Sequence, residues 1–258
     1  DEDERMFFLR WLAYKLRHPS VRGPAIVMVA HDTYGTGRGT LVEIIRGLFG
    51  AKLVNTVDFA TLSGKTYQSQ YNDWLADSLI VAVNEAQEAT PNLSRWAARS
   101  NAYEHLKDIV DPSNHHVHIV RKSIGNYQGL TYSSILVMTN HADSLVIPSN
   151  DRRFAILTNG YPPTPAFFSA IHAWRVVPAN LGAFTRELLA LDMGAYNPYE
   201  PPPMTVGKEE MVEAGESEID RALATVLREV GAGLVVKEQI ILRIENWLAD
   251  NNVEAPDD

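Results

Sequence analysis

Residues 27–50, VMVAHDTYGTGRGTLVEIIRGLFG, place an apolar run, a glycine-rich stretch and a periodic apolar segment in direct succession. The apolar run is typical of a buried parallel strand. Four apolar residues of the last segment recur at helical spacing: Leu41, Ile44, Ile45 and Leu48. A strand that leads through a short glycine loop directly into a helix is a unit of parallel sheets covered by helices. This feature therefore restricts the chain to the α/β class, with helices on both faces of the sheet.

The same stretch follows the order of the phosphate-binding pattern G-x-x-x-x-G-K-[ST]. In that pattern backbone N–H groups at a helix N-terminus bind phosphates, the lysine adds a charge and the hydroxyl holds Mg²⁺. Here Asp32 stands at the first glycine position, Arg38 at the lysine position and Thr40 one residue after the hydroxyl position. A glycine turn without a ligand is the alternative interpretation. The predicted nucleotide-binding residues are Gly35, Thr36, Gly37, Arg38, Gly39 and Thr40.

Polar residues also follow the other predicted strands. LIVAVNEAQE contains Asn84, at a metal-side position, and Glu85, which we expect to activate the attacking water. ILVMTN ends in Asn140, a candidate γ-phosphate sensor, and NDRRFAIL carries Arg152 and Arg153, which could act as an arginine finger. Each has an ordinary alternative, a turn asparagine or a surface charge. The predicted catalytic residues are Glu85, Asn140, Arg152 and Arg153, and the predicted Mg²⁺ ligands are Thr40, Asn84 and Glu85.

The stretches GTGRGTL, LIVAVNEA, ILVMTNHAD and NDRRFAIL together resemble the superfamily 3 helicase domain of bacteriophage and plasmid primase-helicase proteins, over roughly residues 5–160. The resemblance implies an AAA+-like P-loop NTPase core that uses ATP and Mg²⁺. It also implies a homo-oligomeric ring, usually a hexamer, that moves on single-stranded DNA beside a primase or primase-polymerase domain. Asp32, Arg38 and Asn84 depart from the family pattern, and they bear on hydrolysis rather than on the fold.

The family also places a basic β-hairpin in the central pore, between the second and third of these motifs. HHVHIVRKSIGNYQG, residues 115–129, occupies that place, and we predict a strand pair with a Gly-Asn turn. No Asp or Glu occurs from Pro112 to Ala142. The predicted DNA-binding residues are Arg121, Lys122, His116, His118 and Tyr127, with Lys122 closest to the pore lysine and Tyr127 at the tip, where it could stack on a base. No cysteine or acid nearby completes a zinc site, so phosphate contact or strand packing is preferred for the histidines.

Composition limits the remaining possibilities. The 258 residues include no cysteine, so disulfides and thiolate metal sites are excluded, and no apolar run approaches the roughly 20 residues that span a bilayer. A cytoplasmic protein without a membrane partner is expected. The net charge of −9 argues against a surface coated for nucleic acid but allows a local basic patch. The acidic ends, DEDE and EAPDD, indicate a part of a longer chain.

The pattern divides the chain into three parts. Residues 1–196 are predicted to form the P-loop NTPase core with an N-terminal helix, and 197–204, NPYEPPPM, a stiff proline-rich linker. Residues 205–258 are predicted to form a small helical C-terminal module of two helices, over 208–230 and 237–253.

Two functions fit this sequence. The first is a ring-forming ATP-dependent DNA helicase or translocase of a phage-type primase-helicase. The alternative is an oligomeric DNA clamp or scaffold for a fused primase-polymerase, whose altered loop binds nucleotide weakly or not at all. A metabolite kinase accounts neither for the asparagine strand end nor for the Asp-Arg-Arg sequence.

Overall fold

The computed structural model describes residues 2–31, 33–62, 71–84, 103–104, 106–107, 109–111, 113–121, 125–142, 144–159, 162–216, 218–231 and 236–251. The strands are β1 Ala25–Val29, β2 Val54–Asp58, β3 Ile80–Asn84, β4 His116–Arg121, β5 Gly125–Leu130, β6 Ser134–Thr139 and β7 Phe154–Thr158. The helices are α1 Glu2–Arg17, α2 Arg38–Phe49, α3 Phe59–Leu62, α4 Pro165–Arg175, α5 Pro178–Ala190, α6 Val206–Gly215, α7 Glu218–Val230 and α8 Lys237–Asp250. None of the described helices is long and apolar enough to cross a membrane.

Five strands form one parallel sheet in the order β2-β3-β6-β1-β7. The chain leaves β1 and crosses by α2 to the far edge at β2. It then returns through β3 to β6, which lies beside β1. Strand β1 thus lies between β6 and β7. From β1 the chain continues toward the β2 edge, and from β6 it continues past β1 to β7, so these two connections leave in opposite directions. In open parallel sheets, ligands bind beyond the carboxyl ends of the strands at such a point. The fold therefore puts the glycine loop, which joins the end of β1 to the start of α2 at Arg38, at the carboxyl edge of the sheet, where a ligand site is expected.

Each face of the sheet has its own apolar core. On β1 the odd residues Ala25, Val27 and Val29 belong to one buried cluster, and Ile26 and Met28 belong to the other. The second cluster also contains residues of α1, α2 and α5, and the first contains Met211 of α6 together with buried residues of the hairpin. This two-sided burial explains why β1 is a continuous apolar run, and it confirms the predicted α/β class with a sheet between helices.

The edge strand β7 is covered by side chains. Thr205 Oγ1 donates to the Ile156 carbonyl at 2.5 Å, and Lys208 Nζ donates to the Phe154 carbonyl at 3.0 Å. Glu4 accepts a hydrogen bond from the Thr158 N–H at 2.7 Å. These contacts use backbone groups that an edge strand would otherwise offer to another chain.

Several elements differ from the sequence predictions. Strand β2 was not predicted, because VNTVD mixes polar residues into a half-exposed edge strand. The predicted helix 208–230 is two helices, since Gly215 lies against the backbone of Val146 and the helical run ends there. The sequence also predicts a helix over YQSQYNDWLAD, residues 67–77. Residues 67–70 lie outside the described residues, and the rest contains only a 3₁₀ turn, Asp73–Leu75.

The hairpin also differs from its prediction. The last pair of the ladder joins Arg121 to Gly125, so Gly125 and Asn126 lie inside β5 rather than in a turn. Asn72 holds the outer edge of β4, because its N–H donates to the Val120 carbonyl at 3.1 Å and its Oδ1 accepts from the Val120 N–H at 2.7 Å. This use of the Asn72 backbone explains why no regular helix runs through it.

Candidate functional site

The glycine loop has a backbone that side chains would disturb. Gly35 and Gly37 have φ angles of 72° and 86°, in the left-handed region where glycine is favoured. A Cβ built on Gly37 would lie 3.1 Å from Cε1 of Phe168 in α4, whereas at Gly35 or Gly39 it would meet nothing within 4 Å. The loop is therefore narrow at Gly37 and open on either side of it.

This loop ends at an uncapped helix. Gly37 is the N-cap of the 12-residue helix α2, the described part of the chain contains no side-chain cap for it, and its first turn has no acidic residue. Backbone N–H groups at such a terminus attract anions. The hydroxyl of Thr36 is buried and has no hydrogen-bond partner among the described residues. A buried hydroxyl without a partner and a helix end without a cap together fit a phosphate group.

Arg38 and Asn140 meet at this loop. Arg38 Nη2 donates to Asn140 Oδ1 at 2.6 Å, and Asn140 is only 2% exposed. The contact follows from the register, since Val29 of β1 pairs with Thr139 of β6 and both strands then end. The structure thus brings together the predicted phosphate-binding cation and the predicted γ-phosphate sensor.

Asparagines stand at three strand ends of the same edge. Asn84 is the exposed last residue of β3, Asn140 follows β6, and Asn159 follows β7. Asn159 donates to the Thr36 carbonyl at 3.5 Å and its backbone N–H donates to Val29 at 2.7 Å. Sequence reasoning missed Asn159, although it stands at the end of a buried strand just as Asn84 and Asn140 do.

Two predicted site residues, Glu85 and Lys122, lie outside the described residues, as does Asp32 at the first glycine position of the motif. Of the predicted Mg²⁺ ligands, Thr40 is half-buried in the first turn of α2 and Asn84 lies at the carboxyl end of β3. Both offer neutral oxygens at the edge that carries the glycine loop, and oxygen donors suit Mg²⁺.

Arg152 and Arg153 lie at the opposite edge of the sheet. They directly precede β7, whose five residues place them roughly 16 Å from its carboxyl end at about 3.3 Å per residue. Arg153 Nε donates to Asp111 Oδ2 at 3.2 Å, whereas Arg152 is exposed. Burial alone would raise the pKa of Asp111, but hydrogen bonds from the Ser113 N–H and from Arg153 outweigh it and hold the pKa below its ordinary value.

The neighbouring Asp151 could pair with these arginines at the surface, but it lies inside the protein. It is buried, accepts from the Tyr103 hydroxyl at 2.9 Å and lies 3.8 Å from Lys208 Nζ. The Arg153 and Phe154 N–H groups also donate to its carboxylate. Asp151 therefore fixes the turn before β7 and leaves the Arg152 side chain at the surface.

Four of the predicted DNA-binding residues lie among the described residues, and they divide between the two faces of the hairpin. His116 and His118 are exposed and alternate with buried Val117 and Ile119. Tyr127 pairs with Ile119, so it lies on the Ile119 face within β5 and not at the tip. Arg121 shares that face, 5.8 Å from the Tyr127 ring centroid, and donates to Asp77 at 2.8 Å. Asp77, which lies outside the acid-free segment, thus forms an ion pair with Arg121 inside it.

One further contact was not foreseen. His31, directly after β1 and its adjoining Ala30, has a φ of 42°, and its Nε2 lies 3.5 Å from Glu210 of α6. No periodicity or motif marks this pair, because it joins residues that are far apart in sequence. It places α6 against the start of the glycine loop, even though α6 belongs to the predicted C-terminal module.

Comparison with known proteins places this geometry in context. Residues 31–153, somewhat less than half of the chain, match a family of unknown function, DUF5906. The chain is 23% identical over 247 residues to the DNA primase-polymerase of Nitratiruptor phage NrS-1, an alignment that covers 96% of this chain and 30% of that protein. The chain therefore spans about a third of the length of this relative.

Solved structures of the same phage protein share the fold. The apo structure of the NrS-1 C-terminal region superposes with a TM-score of 0.68 at 20% identity and covers 97% of this chain and 64% of that one. The A form apo structure of the same region superposes with a TM-score of 0.64 at 19% identity and covers 99% of this chain and 56% of that one. The chain is thus related to a phage primase-polymerase and has the fold of the C-terminal region of that protein.

Proposed function

We propose that the chain is the ATP-dependent DNA helicase or translocase part of a phage-type primase-helicase, of the superfamily 3 class, and that it acts in the cytoplasm of the host cell. The observation that carries the proposal is the carboxyl edge of the sheet. There an uncapped helix N-terminus, two left-handed glycines and a buried Thr36 hydroxyl stand beside the Arg38–Asn140 contact. All of these features suit a triphosphate, which is anionic and rich in acceptors.

In this proposal each residue has a defined task. The loop N–H groups and Arg38 bind the β- and γ-phosphates, Asn140 lies where the γ-phosphate ends, and Glu85 takes the proton of the attacking water. Mg²⁺, held by Thr40, Asn84 and Glu85, would neutralise phosphate charge when bound. Arg152 would act on the nucleotide of the next subunit in a homo-oligomeric ring, which we propose to be a hexamer, with Arg153 bracing its loop through Asp111.

The alternative, an oligomeric DNA clamp beside a primase-polymerase domain, is favoured by one observation. The Arg38 guanidinium donates to Asn140, so part of its hydrogen-bonding capacity is used within the protein. Motor and clamp both bind single-stranded DNA, but only the motor turns over ATP. A DNA-stimulated ATPase measurement on this chain therefore separates them.

The DNA-binding part of the proposal predicts the behaviour of hairpin variants. Arg121→Ala and Lys122→Ala should each weaken single-stranded DNA binding and lower the log–log salt slope by about 0.7, the value for one lost phosphate contact. Fluorescence anisotropy with an oligonucleotide over a salt series measures both quantities. ATP binding should not change.

Two control variants sharpen this experiment. Lys52→Ala removes one exposed charge far from the hairpin in sequence and should leave affinity and slope unaltered. Asp77→Asn frees Arg121 from its ion pair and should strengthen binding if Arg121 reaches the DNA. Wild-type affinity and slope in both Arg121→Ala and Lys122→Ala would make the hairpin a structural element only.

A further inference from the structure

The Arg38–Asn140 hydrogen bond is the feature of the site that the usual phosphate loop does not explain. It joins the first residue of α2 to the residue after β6, and the distance of 2.6 Å is short for a nitrogen donor. Asn140 is buried and can hardly move, because its neighbour Thr139 is paired with Val29 in the sheet and accepts from Ala30. The rigid partner in this bond is therefore the asparagine.

The identity of the cation decides what the bond does. A guanidinium is planar and carries five N–H donors in a fixed fork, so one hydrogen bond to Asn140 also restricts the orientation of the others. A lysine is shorter and ends in a compact ammonium without a plane to orient. The Arg38 side chain is half-buried and its Nη1 atom is buried, so the guanidinium lies within the protein.

We propose that Asn140 is a positioning residue that holds the Arg38 guanidinium at the N-terminus of α2, and that the pair binds phosphate as one unit. The inference rests on the proposed nucleotide site and specifies how it works in this chain. The loop is then built around an arginine, so Arg38→Lys weakens phosphate binding instead of restoring a usual contact. Removing Asn140 has the same consequence, because an unheld arginine loses its orientation.

A double-mutant cycle tests this coupling. Calorimetric titration with MgATP, and separately with inorganic tripolyphosphate, is carried out on wild type, Arg38→Lys, Asn140→Ala and the double variant. Each single variant should bind about tenfold more weakly, the usual loss for a hydrogen bond to a charged group. The double variant should bind no more weakly than either single one, because both changes break the same unit.

Two further variants separate positioning from folding. Arg46→Lys makes the same exchange in the same helix, at an arginine that contacts Glu43 and Thr56, and should leave binding unchanged. Asn140→Asp restores an acceptor for the guanidinium, so in that background Arg38→Lys should again weaken binding. A purely structural role of Asn140 predicts instead the same effect of Arg38→Lys in the Asn140→Ala and Asn140→Asp backgrounds. Melting temperatures within the wild-type range establish that each variant is folded.

The outcomes are distinct. Additive losses in the cycle, or tighter binding by Arg38→Lys, overturn the inference and leave the nucleotide site standing. A wild-type chain that binds neither MgATP nor tripolyphosphate removes the nucleotide site and the inference with it. The inference is supported if the losses in the cycle are non-additive and Arg38→Lys again weakens binding in the Asn140→Asp background.

Discussion

Glu85→Gln should retain nucleotide binding and lose ATP turnover. Glutamine has nearly the same shape as glutamate but cannot take a proton from the attacking water, and a general base contributes about 10²- to 10⁴-fold to a rate. The motivation is the position of Glu85 directly after β3, a strand whose first four residues are buried. Steady-state ATPase rates and calorimetric ATP affinities of the same preparations measure the two properties.

Glu88→Gln is the matched control, since it makes the same exchange three residues later in the same acidic stretch. It should have wild-type turnover. An unchanged turnover number in Glu85→Gln would remove Glu85 from the mechanism and leave the carboxyl edge without its proposed base.

Mixed oligomers should recover activity from two inactive variants. Arg152 lies at the amino edge of the sheet, and the glycine loop lies at the carboxyl edge, so Arg152 does not reach the loop of its own subunit. Arg152→Ala and Glu85→Gln should therefore each be inactive alone for different reasons. In an equal mixture about one interface in four would pair an intact Glu85 with an intact Arg152, if the subunits combine at random in a closed ring.

The control for this experiment puts both changes on one subunit. A mixture of the double variant with Glu85→Gln contains no intact Glu85 and should show no turnover at any ratio. Subunit exchange is verified by fluorescence transfer between labelled protomers. No recovery in oligomers shown to be mixed, or full activity of a monomer, would contradict an arginine that acts between subunits.

The parts of the fold that could be predicted are those with a strong local signal. Two-sided burial makes β1, β3 and β6 continuous apolar runs, and Pro19 marks the end of α1 two residues earlier at Arg17. Strand β2 lacks that signal because it lies at the sheet edge with partly exposed residues. The break between α6 and α7 has no helix-breaking proline, and α6 ends where Gly215 lies close to the backbone of Val146.

Several residues of the candidate site could be predicted from the sequence, but the contacts between them could not. The motif order indicates that Arg38 and Asn140 belong to one site, yet their hydrogen bond depends on the register of β1 against β6. The division of the hairpin into a histidine face and an Arg121–Tyr127 face depends on the register of β4 against β5. Register is set by the whole sheet, and a single sequence does not display it.

The central claim, that this chain hydrolyses ATP on DNA, is tested most directly by its ATPase rate with and without single-stranded DNA. Phosphate release is followed at saturating MgATP, with Glu85→Gln prepared in parallel to subtract contaminating ATPases. The proposal predicts turnover that is absent in Glu85→Gln and rises when the oligonucleotide is added. A chain that binds the oligonucleotide but shows the same rate as Glu85→Gln, with DNA or without it, would contradict the motor and leave the clamp.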